Sequence, residues 1–172
     1  MNIVSRNDCG EFAPFDLTQT PKFDRTTDKV ELAIRSYEIA NKYLAAAKLL
    51  LEKSFEYMPV VLSNVAFSCE LYLKALLHGY AIDFGNAGHG LYDLFQLLPD
   101  YVRDYISQNI AIENRDAEFN LSLKEQNTAF VTYRYMNEVK TITANPGFLF
   151  AFALILKFVY EMLTKEQDQQ AE

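Results

Sequence analysis

An all-α fold, an antiparallel up-and-down bundle of four to five helices, follows from three features of these 172 residues. Apolar residues recur at spacings of three and four over long stretches. No period-two alternation runs far enough to make a useful strand. Half of the residues are hydrophobic, enough for one sizeable core. Helices with an apolar stripe bury it against one another, and short connections make neighbours antiparallel.

Residues 1–27 hold Pro14, Pro21 and a Thr/Asp-rich run, which reads as an irregular N-terminal arm. The bundle takes residues 28–166, and 167–172 form an acidic tail. A first helix is predicted from Asp28, where D-K-V-E offers an N-cap side chain with Glu31 three positions on, to about Phe55. Val30, Ala33, Ile34, Tyr37, Ala40, Leu44, Ala47 and Leu51 define its packing face, with Lys29, Arg35, Lys42 and Lys48 falling mostly between them as a solvated face. Pro59 suits the first turn of a second helix running to about Gly79, where its missing N–H costs nothing. That helix is apolar on most faces and should be central. IDFGNAGHG is a Gly-rich turn, LYDLFQLLP a short amphipathic helix, and Pro99 starts another through Tyr105. One longer helix is predicted over 113–138 and a last one over 148–166, separated by TITANPG.

Sixteen basic against 23 acidic residues give a net charge of -7, and both halves of the chain share the sign. An acidic field does not attract phosphate backbones, so nucleic-acid binding would need a local basic patch. Cys9 and Cys69 lie too far apart for a metal pattern or a disulfide framework and read as free thiols. The N-terminus lacks a basic region followed by an apolar one, which makes the cytoplasm the default location. The longest unbroken apolar run, FLFAFALIL, is nine residues, short of the roughly 18 that suggest a membrane span.

Few chemical motifs are present. GNAGHG has neither the spacing nor the preceding strand of a phosphate loop. His78 and His89 are the only histidines and lack metal-ligand spacing, so no metal and no cofactor is expected. No nucleophile-elbow sequence occurs. What stands out is AFSCELYLKALLH. Glu70, Lys74 and His78 drift by only about 80° around a helix and form one polar stripe on an otherwise apolar rod. Unpaired buried charge is costly, so Glu70 should pair with Lys74 or with a cation from another helix. TYRYMNE offers Arg134 and Glu138, four apart and flanked by Tyr133 and Tyr135. Two readings stand: a structural charge network, or a polar ligand pocket. His89, in G-H-G, either caps or fixes the loop before LYDLF or points into that pocket.

Three blocks in order, LSNVAFSCELYLKALL, GHGLYDLF and RYMNE, resemble the HEPN (higher eukaryotes and prokaryotes nucleotide-binding) domain over roughly residues 28–165. The resemblance implies a bundle of four or five helices, commonly dimeric, found in RNases of toxin and defence systems, beside nucleotidyltransferase partners, and in non-catalytic binding modules. Catalytic members carry an Arg followed by a polar residue, with a His four to six positions beyond the Arg. This sequence departs from that pattern: Arg134 is followed by Tyr135, Met136, Asn137, Glu138, Val139 and Lys140. No histidine acid or base stands there. No catalytic residue is therefore assigned.

The expectation is a non-catalytic binding or partner module in which Glu70, Lys74, His78, His89, Arg134, Tyr135 and Glu138 are candidate ligand-binding residues for a nucleotide or RNA. A nucleotidyltransferase-like protein is a candidate partner in a two-component, toxin–antitoxin type of system. The alternatives are an RNase in which His89 or Glu138 replaces the missing His, and a purely structural interaction subunit. A homodimer is expected because FLFAFALIL with Phe158, Tyr160 and Met162 is apolar on more faces than one contact covers. The competing explanation is that Phe12, Phe15, Leu17 and Phe23 of the arm fold back over that face.

Overall fold

The computed structural model describes residues 12–85, 87–110, 115–135 and 145–169. Among them are seven α-helices and no strand: α1 (Lys29–Lys53), α2 (Met58–Gly79), α3 (Leu91–Gln96), α4 (Asp100–Asn109), α5 (Arg115–Glu125), α6 (Ala129–Arg134) and α7 (Pro146–Gln169).

α1 and α2 form a hairpin. Ser54 ends α1 in extended backbone (φ -167°, ψ 143°), and its hydroxyl accepts from the Glu56 N–H to start the single 3-10 turn before α2. The capping box expected at Asp28 is absent: Asp28 has helical dihedrals (φ -63°, ψ -13°) and its side chain caps nothing. A side chain on helical backbone points away from the N–H groups it would have to accept from.

α2 is the central rod, packed by α1, α7, α6 and α3. Val61, Val65, Tyr72, Leu73, Leu76 and Leu77 are buried along it, each large apolar side chain contributing about 2 kcal/mol. Cys69 is buried as well, and its thiol donates to the Leu149 carbonyl of α7 at 3.4 Å. Burial pushes that thiol far above its ordinary pKa, which makes it a structural rather than a reactive group. At the other end of the core, Phe95, Phe119, Phe148 and Phe152 pack with ring centroids 5.2 to 6.0 Å apart.

The long helix predicted over 113–138 is two helices in the described part, α5 and α6, broken at 126–128. The break has a cause. Asn127 is turned toward the N-terminus of α3, where its carbonyl accepts from Leu91 N–H at 3.0 Å and its side-chain oxygen from Tyr92 N–H at 2.8 Å. Those orphan donors take the backbone of residue 127 out of the helix.

The arm is folded back. Tyr105 donates to the Ala13 carbonyl, Ala13 N–H donates to Asn109 at 2.9 Å, and Asp24 N–H donates to the Gly79 carbonyl at 2.8 Å. Phe12 packs on Phe158 at 5.0 Å and Phe23 on Tyr160 at 5.7 Å. The outward face of α7 is thus covered by the chain itself, which removes the motive for assigning that face to a dimer. By length and hydropathy, Phe55–Gly79 and Pro146–Lys165 would each reach across a bilayer, since scattered polar residues lower the mean only to 1.5 and 1.7; the bundle buries two thirds and half of those windows.

Candidate functional site

The polar stripe of α2 lies under the loop that follows it. The helix stops in a Schellman turn: Ala81 N–H donates to His78 O and Ile82 N–H to Leu77 O, both at 2.9 Å, with Ala81 in the left-handed region at φ 54°. Lys29, from the start of α1, donates to the Ala81 carbonyl at 3.2 Å and ties the turn down. The chain then bends through Asp83, whose carboxylate accepts from Gly85 N–H at 3.1 Å, and through Gly88 at φ 59°, before returning to α3.

That return brings His89 back to the stripe. Its Nδ1 donates to Glu70 Oε1 at 2.7 Å, and Lys74 Nζ donates to the same oxygen at 2.7 Å. The Glu70 side chain is 1% exposed, that of Lys74 18% and that of His89 62%. A buried carboxylate is therefore held by one nearly buried ammonium and one exposed imidazole, and its second oxygen has no hydrogen-bond partner among the described residues. Phe84 roofs the rest of the stripe, with Lys74 Nζ 5.7 Å from its ring centroid and the His78 ring edge-on at 4.9 Å. Burial, then the charges of Lys29 and Lys74, hold His78 below the ordinary histidine pKa. Beside Phe84 an open depression of about 350 Å³ is lined by Asp83, Phe84, Gly85, Ala87 and Leu97.

Of the residues expected at this site, Glu70, Lys74, His78 and His89 come together. Arg134 and Tyr135 do not join them. Arg134 is exposed at the end of α6, with its guanidinium 5.5 Å from the neighbouring Tyr135 ring, and an exposed head cannot reach a carboxylate buried inside the bundle. The cation expected to cross to Glu70 from TYRYMNE is instead His89. Glu138 lies outside the described residues. His89 does not cap α3, a task Asn127 performs; it fixes the loop through Glu70. A Cβ on Gly90 would sit 2.3 Å from Asp93 Oδ2 and 2.8 Å from Asn127 Oδ1, so glycine at 90 keeps room for that cap.

Sequence reasoning missed Phe84 and Lys29. An aromatic between two glycine-containing turns is a signal that could have flagged Phe84 as a roof; nothing local marks Lys29, whose role depends on where α2 ends. Among the described residues no group of His, Cys, Asp and Glu is placed to hold a metal ion.

A family model described as the HEPN domain matches residues 33–143, which include α2, the loop, α3 and α6. No curated protein and no solved structure matches the chain. The matched segment is more than half of the chain and contains every element of the cluster except Lys29: this chain belongs to the HEPN domain family.

Proposed function

We propose that this HEPN domain is a non-catalytic binding module that takes the phosphate-bearing end of a nucleotide or RNA at the Glu70–Lys74–His89 cluster. The observation that supports it is the sharing of one buried carboxylate oxygen by two cation-forming heads, each at 2.7 Å. Glu70 fixes where those heads stand, while the lysine keeps further N–H donors and the exposed imidazole keeps Nε2 for an incoming oxyanion. With His89 protonated the trio carries a net positive charge in a chain that is otherwise acidic, a local patch of the kind the overall field demands. The depression beside Phe84 gives a base an aromatic edge to lie against. A nucleotidyltransferase-like protein as working partner belongs to the same reading.

A thermal-shift series with mononucleotides and short RNA ends tests it, because a ligand bound only by the native state raises the melting temperature. The expected result is a shift with phosphate-bearing ligands that disappears in His89→Ala, whose exposed side chain can be removed without opening the core. No shift with any of them, or an undiminished shift in the variant, rejects the reading.

One observation favours the RNase alternative. An imidazole whose Nδ1 is held by a buried carboxylate and whose Nε2 is unpartnered among the described residues has the arrangement of an oriented general acid or base. RNA cleavage by the purified chain that is lost in His89→Gln would promote that alternative over the binding module.

A further inference from the structure

α1 carries a second apolar stripe beside the one it buries. Leu32, Ser36, Ile39, Tyr43, Ala46 and Leu50 recur at spacings of four and three, the 3.5-residue seam of a coiled coil. The core-facing Ala33, Ala40, Leu44 and Ala47 lie on a different face, and the seam looks outward, with Leu32, Ile39 and Tyr43 45, 42 and 37% exposed. The Tyr43 ring meets Phe67 of α2 edge-on at 4.7 Å, and Phe67 stacks on Phe130 of α6 at 4.5 Å. The apolar surface therefore continues from α1 across α2 to α6, where Val131 is also exposed. From Leu32 to Leu50 it runs about 27 Å, the length of a five-turn helix.

The flanking charges select the occupant. Arg35 and Lys42 precede Ser36 and Tyr43 along one edge of the seam, Lys53 extends it, and Arg134 lies one turn beyond Phe130 on α6; all four are exposed. Arg35 is shared with Glu31, but Lys42 and Lys53 have no counter-ion among the described residues. A second copy laid antiparallel on this seam, with Ile39 over its counterpart's Tyr43, would set Lys42 against its own counterpart across the twofold axis, a like-charge contact. An acidic flank answers all of these cations at once.

We propose that the α1–α2–α6 face docks one amphipathic helix of a different protein, about 18 residues long, apolar along its seam and acidic on its flanks. The interaction stands apart from the Glu70 cluster and does not depend on it.

Two designed helices of about 20 residues, identical along a Leu/Ile seam but flanked by Glu in one and by Lys in the other, test the proposal against the full chain by fluorescence anisotropy. The Glu-flanked helix should bind at least about tenfold tighter, and added salt should weaken it. Lys42→Glu should narrow or reverse that preference, and Ile39→Asp should abolish binding while leaving the helical circular dichroism in place, since Ile39 is exposed. Equal binding of the two helices, or none, overturns the proposal. Concentration-dependent dimerisation lost in Ile39→Asp would overturn it in favour of a second copy. Flotation with anionic vesicles lost in the same variant would overturn it in favour of a membrane surface.

Discussion

Replacing Lys74 with methionine tests whether the charge on Glu70 is held inside the bundle. The Lys74–Glu70 pair has one partner 1% exposed and the other 18%, so the two ends respond differently to truncation. Without Glu70, the ammonium can swing out along its flexible stem and recover water. Without Lys74, the carboxylate has no such escape, and only the exposed His89 remains to answer it. Breaking a buried pair from the side that strands the buried ion costs about 3–5 kcal/mol. A ceiling comes from protonation: giving a proton to a carboxyl group of ordinary pKa near 4.3 at pH 7 costs about 4 kcal/mol, beyond which the side chain neutralises instead of enduring its charge. Lys74→Met should therefore lose about 3 kcal/mol, Glu70→Gln about half of that, and the double variant less than the sum, because each change removes the other's penalty. Urea denaturation followed by circular dichroism at pH 7 gives all three values. A loss below about 1 kcal/mol for Lys74→Met, the size of a surface pair, would refute the reasoning and place the Glu70 carboxylate within reach of water.

Two further perturbations probe how the site is covered. Gly79→Ala would set a Cβ 2.7 Å from the rigid Phe23 ring, so the arm must shift, losing the Asp24–Gly79 hydrogen bond and the Phe23 contacts with Tyr80 and Tyr160. A loss of about 1–3 kcal/mol and faster tryptic cutting at Lys22 and Arg25 are expected, and an unchanged cleavage rate would disprove the close packing. His78 gives a pH dependence. Its folded pKa is lowered, by burial first and by Lys29 and Lys74 after that, so just below the unfolded value of about 6.5 the unfolded chain binds more protons than the folded one. The contribution is full above about pH 6.5 and falls as the pH drops toward the folded value. Wild type should lose more stability than His78→Gln on going from about pH 7.5 to 5.5, and equal losses would mean the ring titrates freely in the fold.

The helices were legible where periodicity is long. α1, α2 and α7 stand close to the limits read from spacing, Pro59 and the apolar runs, and α2 is central because it is apolar on most of its faces. What could not be read is anything decided at a distance. The break at 126–128 exists because Asn127 serves donors on α3, more than thirty residues away in the chain. The capping box at Asp28 failed because the backbone there is already helical, and no side-chain pattern reveals that. At the site, the i, i+4 spacing of Glu70, Lys74 and His78 was enough to place them on one stripe, but the choice between Arg134 and His89 as the crossing cation depends on loop geometry. The glycines in GNAGHG signal a tight return without saying where it lands.

The presence of a carboxylate in the most buried helix now has a physical account that joins the two readings of the stripe. Apolar residues at 70 and 74 would pack the rod at least as stably, since a buried ion pair contributes little over a hydrophobic pair of the same volume. Position is what they could not supply. Glu70 is a fixed point inside the bundle on which Lys74 and His89 converge, so the same bonds that hold the loop against α2 also set two cation-forming heads side by side at its edge. A charge network and a ligand site are then one arrangement seen from inside and from outside. A variant carrying Glu70→Leu with Lys74→Met separates stability from position: it should keep its melting temperature within a few degrees while losing any nucleotide-dependent shift. Retention of that shift in a stable double variant would show that the ligand is held elsewhere on the domain and that the buried charges serve packing alone.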